Sequence, residues 1–113
     1  MVTIATGSVT VAPAVLIRLI TMAIREVPGV ARLGSVPRTQ TNWRGSNSGA
    51  GVVVQIAPNG TSANCYIIAA PNTNLLELGT AVQATVAAVI QDLAGMSVTE
   101  VNVYIQDVEA DSG

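Results

Sequence analysis

The stretch LLELGTAVQATVAAVIQDLAGMSVTEVNVYIQDV, residues 75 to 108, decides the fold that this sequence predicts. Its first part places seven apolar side chains on one side of a helix. They are Leu75, Leu78, Val82, Val86, Val89, Ile90 and Leu93. Asn74 is a candidate N-cap of that helix, and Gly95 is a candidate C-terminal glycine. From Val98 to Val108 apolar and polar residues alternate, which is typical of a strand with one buried face.

A second helix is predicted near the start of the chain. Residues 7–12 alternate like a short strand, and Pro13 then offers its fixed φ at a first helical position. Pro28-Gly29 ends the helix near Val27. Its predicted apolar stripe is Val15, Leu16, Leu19, Ile20, Ala23 and Val27, widened by Ile17 and Ile24. Arg18, Thr21 and Arg25 fall on the opposite side.

Between the two helices the pattern indicates strands and one long loop. Residues 30–36 form a candidate short strand, whereas residues 37–50 are polar, rich in glycine and without a period. The runs 51–57 and 62–70 are rich in β-branched residues. They are separated by Pro58-Asn59-Gly60-Thr61, and an Asn-Gly pair between two such runs predicts a hairpin.

The resulting β-α-β-β-β-α-β order predicts an α+β fold. We expect two helices packed on one face of a mainly antiparallel sheet of three to four strands. The 113 residues fit a single domain, 1–113, with the long polar loop at 37–50.

Side-chain parity separates two faces of that sheet. If Val101, Val103 and Ile105 face the helices, then Asn102, Tyr104 and Gln106 face the other way. The same parity turns Val52, Val54, Ile56, Cys65 and Ile67 toward the helices and leaves Val53, Gln55, Asn64, Tyr66 and Ile68 on the far side. The far side is then open and uncharged, and only 11% of the chain is charged. We therefore expect an interface with further copies of the chain at Tyr66, Ile68, Asn102, Tyr104 and Gln106.

The composition argues against several classes of function. The chain has no His and one Cys, and the spacing of its carboxylates brings no two together, so we expect no catalytic residues, no metal site and no cofactor. A net charge of −2 with no basic run argues against nucleic acid as a partner. The apolar segment Val11 to Ile24 is shorter than the ~20 residues that a membrane span requires, so no direct membrane insertion is expected. Cys65 lies in an apolar strand pattern and is expected to be a core residue.

Trp43 lies in the long loop between Arg38 and Arg44 and has two interpretations. It either folds back to cap the edge of the core, or it anchors an interface. The second interpretation supports an alternative function, a module that binds a protein or a small ligand through residues 37–50.

Four stretches of the chain resemble the alkaline shock protein family of Gram-positive-type bacteria, also called the envelope stress response family. The first half resembles it in Gly7-Ser8-Val9-Thr10-Val11 and in Glu26-Val27-Pro28-Gly29-Val30. The second half is similar in Val82-Gln83 within the helix and in the strand Val98 to Ile105 with its Val101-Asn102-Val103 core. The resemblance implies a small, abundant, non-enzymatic cytoplasmic protein that associates with itself into homo-oligomers or filaments. In some members a separate anchor protein holds it near the membrane.

Overall fold

A computed structural model of the protein describes residues 6–41 and 46–111. Three α-helices, one π-helical turn and five strands make up this part of the chain. They are α1 (Pro13–Arg25), β1 (Val30–Leu33), α2 (Arg38–Thr41), β2 (Ser46–Gly49), β3 (Val52–Ala57), β4 (Gly60–Ala69), α3 (Leu75–Ala88), the π-helical turn (Val89–Leu93) and β5 (Val98–Val108). The α+β class and the mainly antiparallel sheet are confirmed, with five strands in place of three to four.

Helix α1 begins at Pro13, as predicted, because a proline at the first helical position loses no hydrogen bond. It ends at Arg25, three residues before Pro28. The buried stripe is shifted from the predicted one: Val15 is 50% exposed, whereas Thr21 is buried and its hydroxyl donates to the carbonyl of Arg18. Thr21 is compatible with the core because this local bond satisfies its hydroxyl.

Strand β4 lies at the centre of the sheet and pairs along both of its edges. On one edge it pairs with β5 in parallel; on the other, β3 pairs with its first half and β1 with its second half, both antiparallel. Strand β2 adds to the outer edge of β3. The parallel pairing with β5 requires a crossover connection, and α3 provides it.

The strands β3 and β1 meet end to end beside Tyr66. The amide of Tyr66 donates to the carbonyl of Gly51 at 2.7 Å, and the carbonyl of Tyr66 accepts from the amide of Gly34 at 2.7 Å. Gly51 has a φ of 72°, and a Cβ there would lie 2.9 Å from the Tyr66 carbonyl oxygen. A glycine is required at this junction because both the backbone angle and the space exclude a side chain.

The predicted hairpin joins β3 and β4, with a tighter turn than the predicted four-residue connection. Ala57 pairs with Gly60, so the turn consists of Pro58 and Asn59 alone. Gly60 takes a φ of 141° at the first position of β4. The Asn-Gly signal located the hairpin correctly, and the glycine serves the strand end.

Helix α3 is capped as predicted, since the Asn74 side chain accepts a hydrogen bond from the amide of Glu77 at 3.0 Å. Gly95 follows the π-helical turn with a φ of 68°. The ends of the predicted stripe differ, because Leu75 is 41% and Leu93 67% exposed. The wider π-helical turn explains the change at Leu93, since it rotates the residues after Ala88 away from ideal α-helical spacing.

The buried aliphatic side chains form one cluster between the helices and one face of the sheet. Helix α1 contributes Leu16, Ile20 and Ile24 to this cluster, and α3 with its π-helical turn contributes Val82, Val86 and Ile90. The sheet contributes Val52, Val54, Ala63, Cys65, Ile67 and Ala69. Helices α1 and α3 therefore pack on the same face of the sheet, as the sequence predicts.

Two predicted segments are wrong. Residues 7–12 form no strand, because they find no partner in the sheet of the described residues. The predicted loop at 37–50 contains the short helix α2 and the strand β2. Strand β2 reads Ser-Asn-Ser-Gly and lacks β-branched residues. Its extended structure therefore depends on pairing with β3 and not on the β-propensity of its own residues.

A glycine-to-alanine pair tests the junction at Tyr66. We expect Gly51→Ala to lower the free energy of unfolding by about 2–4 kcal/mol, because it adds left-handed strain and a backbone clash. Gly79→Ala is the matched control: it lies in α3, where a Cβ meets nothing within 4 Å, and should raise the free energy of unfolding by about 1 kcal/mol. Urea unfolding of dilute protein measures both, and equal effects of the two changes would contradict this account.

Candidate interaction surface

The two faces of the sheet are separated as the parity predicts. Val52, Val54, Cys65 and Ile67 point into the core, while Ile56 lies near the end of β3 and is 39% exposed. The far face carries Asn64 and Tyr66 of β4 opposite Asn102 and Tyr104 of β5.

The centre of the far face is closed, which corrects the expectation that it is open. Val53, Tyr66 and Ile68 are only 2%, 4% and 8% exposed within a single copy. The side-chain amide of Gln106 accepts from the Ser35 amide at 2.9 Å and donates to the Ser35 carbonyl at 2.8 Å. Ser35 follows β1, on the opposite side of β4 from β5, so this bridge crosses the central strand at its far face.

The six predicted interface residues therefore separate into three groups. Tyr66 and Ile68 are buried and have little surface to offer a partner. Asn102 is half-buried, and Tyr104 and Gln106 are exposed on β5. Trp43 lies outside the described residues, so the binding module that depends on it stays a prediction.

Two side-chain contacts hold the exposed residues of β5 in place. The ring of Tyr104, 45% exposed, stacks on that of Tyr66 with centroids 4.9 Å apart and planes 13° from parallel. Asn102 donates to Asn64 at 3.0 Å. These cross-strand pairs fix the accessible side chains against a buried base.

The outer edge of β5 is a feature that sequence reasoning missed. Within the described residues β5 pairs only with β4, so its other edge has no partner strand. Beside that edge lies a shallow groove of about 240 Å³ between α3 and β5. Its lining carries no charge and consists of Leu75, Leu76, Gly79, Thr80, Gln83, Val103 and Ile105. Leu76 is 82% exposed, which is unusual for a leucine on a packed helix.

One carbonyl of this edge is already occupied. The side-chain amide of Gln83 donates to the carbonyl of Val101 at 3.1 Å. Gln83 belongs to the Val-Gln pair that the sequence analysis noted, and its role follows from this contact: it attaches α3 to the edge strand.

The carboxylates are dispersed over the surface of the described residues. Glu109 forms an ion pair with Arg32 at 2.9 Å, with both side chains about half exposed or more, so the pair contributes little to stability. In the part of the chain that the structure describes, no group of three or more Cys, Asp or Glu is placed to hold a metal ion.

The single thiol of the chain lies in the core. Cys65 is fully buried, and this burial raises the pKa of its thiol to about 12. The pKa of Tyr66 is also raised, first by burial and then by the neighbouring Tyr104 and Cys65. A thiol that stays protonated at neutral pH is a poor nucleophile, which fits a structural role for Cys65.

The sequence profile of the alkaline shock protein family, described as having a cell envelope-related function, matches residues 1–110. The chain belongs to the alkaline shock protein family. This membership confirms the resemblance that the four stretches indicate, and it covers both halves of the chain, including the strand β5 and the Val82-Gln83 pair.

Individual proteins that are similar to this chain give information on its fold. A protein of Bacillus subtilis (strain 168), YqhY, described as uncharacterized, is 26% identical over 108 residues, which cover 94% of this chain and 80% of that protein. Among solved structures, the copper form of the MamM CTD has a TM-score of 0.60 at 17% identity. A zinc form of a MamM CTD variant has a TM-score of 0.55 at 21% identity, and each comparison covers 88% of this chain and 90% of the other. At these identities the likeness shows a shared fold.

Residues 6–41 and 46–111 include no helix with the length and apolar character needed to cross a bilayer.

The buried thiol makes stability depend on pH above neutrality. The folded pKa, about 12, exceeds the unfolded value of about 8.5, so the stabilisation is complete below pH 8.5 and is lost as the pH rises toward 12. Each pH unit in this window removes about 1.4 kcal/mol. We expect that between pH 8 and pH 10.5 the wild type loses about 2–3 kcal/mol more than Cys65→Ala, measured by denaturant unfolding. Parallel pH curves for the two proteins would contradict the assignment.

Proposed function

We propose that the protein is a non-enzymatic structural member of the alkaline shock protein family whose copies associate into homo-oligomers or filaments. It acts in the cytoplasm, close to the membrane, as the family's cell envelope-related function suggests. In this role the protein supplies a packed scaffold and a surface, and no group-transfer chemistry.

One observation carries the proposal: exposed apolar side chains flank the unpaired edge of β5 on both faces of the sheet. Leu75, Leu76, Tyr104 and Val108 are 41%, 82%, 45% and 43% exposed. Leu75 and Leu76 lie on the helix side of that edge and Tyr104 on the far side, so a partner that covers the edge removes apolar surface from water on both faces.

The low charge of the chain supports the same conclusion. With 11% charged residues, the surface has few groups that keep copies apart. Among the lining residues of the α3–β5 groove there is no charge at all. Two identical surfaces can therefore approach without like-charge repulsion.

The arrangement of titratable groups favours a non-enzymatic role. Glu100 and Asp107 both lie on β5 but are seven positions apart and exposed. Acid–base catalysis needs titratable groups that converge on one site, and the lining of the α3–β5 groove includes none.

Sedimentation velocity over a range of protein concentrations tests the proposal. We expect oligomers for the wild type and at least tenfold weaker association for Tyr104→Lys and Leu76→Lys, because each introduces a charge into the apolar surface on one side of the β5 edge. Met22→Lys is the matched control, since Met22 is 55% exposed on α1, away from β5. Circular dichroism melts verify that each variant is folded.

A wild-type protein that stays monomeric at high concentration would overturn self-association. Oligomers that Met22→Lys weakens as much as Tyr104→Lys does would place the contact elsewhere than on β5.

A further inference from the structure

We propose that two copies pair through the outer edges of their β5 strands, antiparallel, about a two-fold axis at Val103. This pairing joins two five-stranded sheets into one continuous sheet. The inference rests on the proposed self-association and specifies its first contact.

The main-chain bonds show which groups of β5 face outward. In a strand, the amide and carbonyl of one residue point to the same edge, and those of the next residue point to the other edge. The carbonyl of Val101 accepts from Gln83 on the outer side. Val101, Val103 and Ile105 therefore present their main-chain groups outward, while Asn102 and Tyr104 bond to β4.

Two bulges limit the stretch that can pair in this way. Thr99 and Gln106 have no partner in β4, because the register shifts at both positions. Beyond each bulge the orientation inverts: the carbonyl of Ser97 accepts from Thr61, and the amide of Glu109 donates to Ala69, both toward β4. Only the stretch 100–105 presents a regular outward edge.

The two bulges also select the register. With Val103 on the axis, it pairs with its own copy, Val101 pairs with Ile105 of the other copy, and Asn102 faces Tyr104. Moving the axis to Val101 would pair Val103 with the bulged Thr99, and moving it to Ile105 would pair Val103 with Asp107 beyond the other bulge, whereas the central register meets a bulged residue only at its ends. In the central register up to six main-chain hydrogen bonds can form between the two copies. They include bonds to the Val101 carbonyls, because each carbonyl oxygen has a second lone pair that Gln83 does not use.

The charges of β5 fit this self-pairing. Glu100 is the only charged residue of the regular stretch, and in the central register it lies opposite the neutral Gln106 of the other copy. Asp107 and Glu109 lie beyond the bulge, where the ladder has ended. No carboxylate meets its own copy, so the like-charge penalty of a symmetric pair is avoided.

The groove beside the edge adds the packing that a strand pair alone lacks. On the helix side of the sheet, Val103 and Ile105 continue into Leu75 and Leu76 of α3. Gly79 lines the same groove, and a Cβ there would meet nothing within 4 Å. Nothing within the described part of the copy requires a glycine at this position of the helix, and a close approach of α3 from a second copy would account for it.

Disulfide cross-linking in a mixture of two variants tests the register. In the central register position 102 of one copy faces position 104 of the other, about 4.5 Å apart between Cα atoms, which suits a disulfide. Identical positions lie about 7–8 Å apart on the diagonal, beyond disulfide range. We expect Asn102→Cys mixed with Tyr104→Cys to give at least fivefold more cross-linked dimer than either variant alone. The native Cys65 is buried and does not interfere.

A proline pair tests the main-chain bonds. Val103→Pro removes an amide that points away from β4 and has no partner among the described residues, and it should weaken dimerisation at least tenfold in sedimentation experiments. Val108→Pro is the matched control, because its amide also points away from β4, toward Asp107 Oδ1 at 2.8 Å, but lies beyond the bulge.

Equal cross-linking in the mixture and in the single variants, or equal association of the two proline variants, would overturn the β5 pairing while the oligomer of the wild type still stands. A wild type that never associates would overturn both the pairing and the proposed function.

Discussion

The structure depends on the pairing of β4 along its full length. A buried strand must satisfy every amide and carbonyl, since water does not reach them. Nine residues of β4 pair with β5 on one side, and on the other side no single strand is long enough, so β3 and β1 share that edge. Tyr66 stands at their junction, where its amide and carbonyl bond to Gly51 and Gly34. Gly51 and Gly34 are glycines because the backbone must come close to Tyr66 to form these two hydrogen bonds.

The same requirement determines where the chain is exposed. Because the hairpin places β3 on one edge of β4 and β1 completes that edge, the other edge is available to the last strand. A parallel strand needs a long connection, which α3 provides while covering the core. The fold therefore ends on an eleven-residue strand at the border of the sheet, with the crossover helix beside it. The groove between them is a result of the topology.

The sequence predicted the elements that local signals define. Asn74, Gly95 and the spacing of apolar residues are local features, and they located α3 and β5 correctly. The alternation of β5 also identified its exposed side chains, Tyr104 and Gln106, whereas Asn102 is half-buried.

The closed centre of the far face was not predictable in this way, because the bridge between Gln106 and Ser35 joins positions 71 residues apart. Strand β2 was missed for a related reason, since its Ser-Asn-Ser-Gly sequence becomes a strand only through its partner. The outer edge of β5 depends on the order of strands in the sheet, which periodicity does not encode.

Strand β5 has an outer edge that is open to pairing and features at both ends that limit this pairing. A free strand edge invites unlimited pairing, and natural sheets restrict it with charges and bulges. Here the bulges at Thr99 and Gln106 restrict both ends, and the carboxylates of Asp107 and Glu109 add to the second, while the six residues between the bulges keep a regular outward edge. A strand protected only at its ends accepts one partner in one register, and a symmetric pair then leaves neither β5 edge exposed. Growth beyond a pair would have to use another surface, so the end strand supplies a defined contact and does not become a site of uncontrolled aggregation.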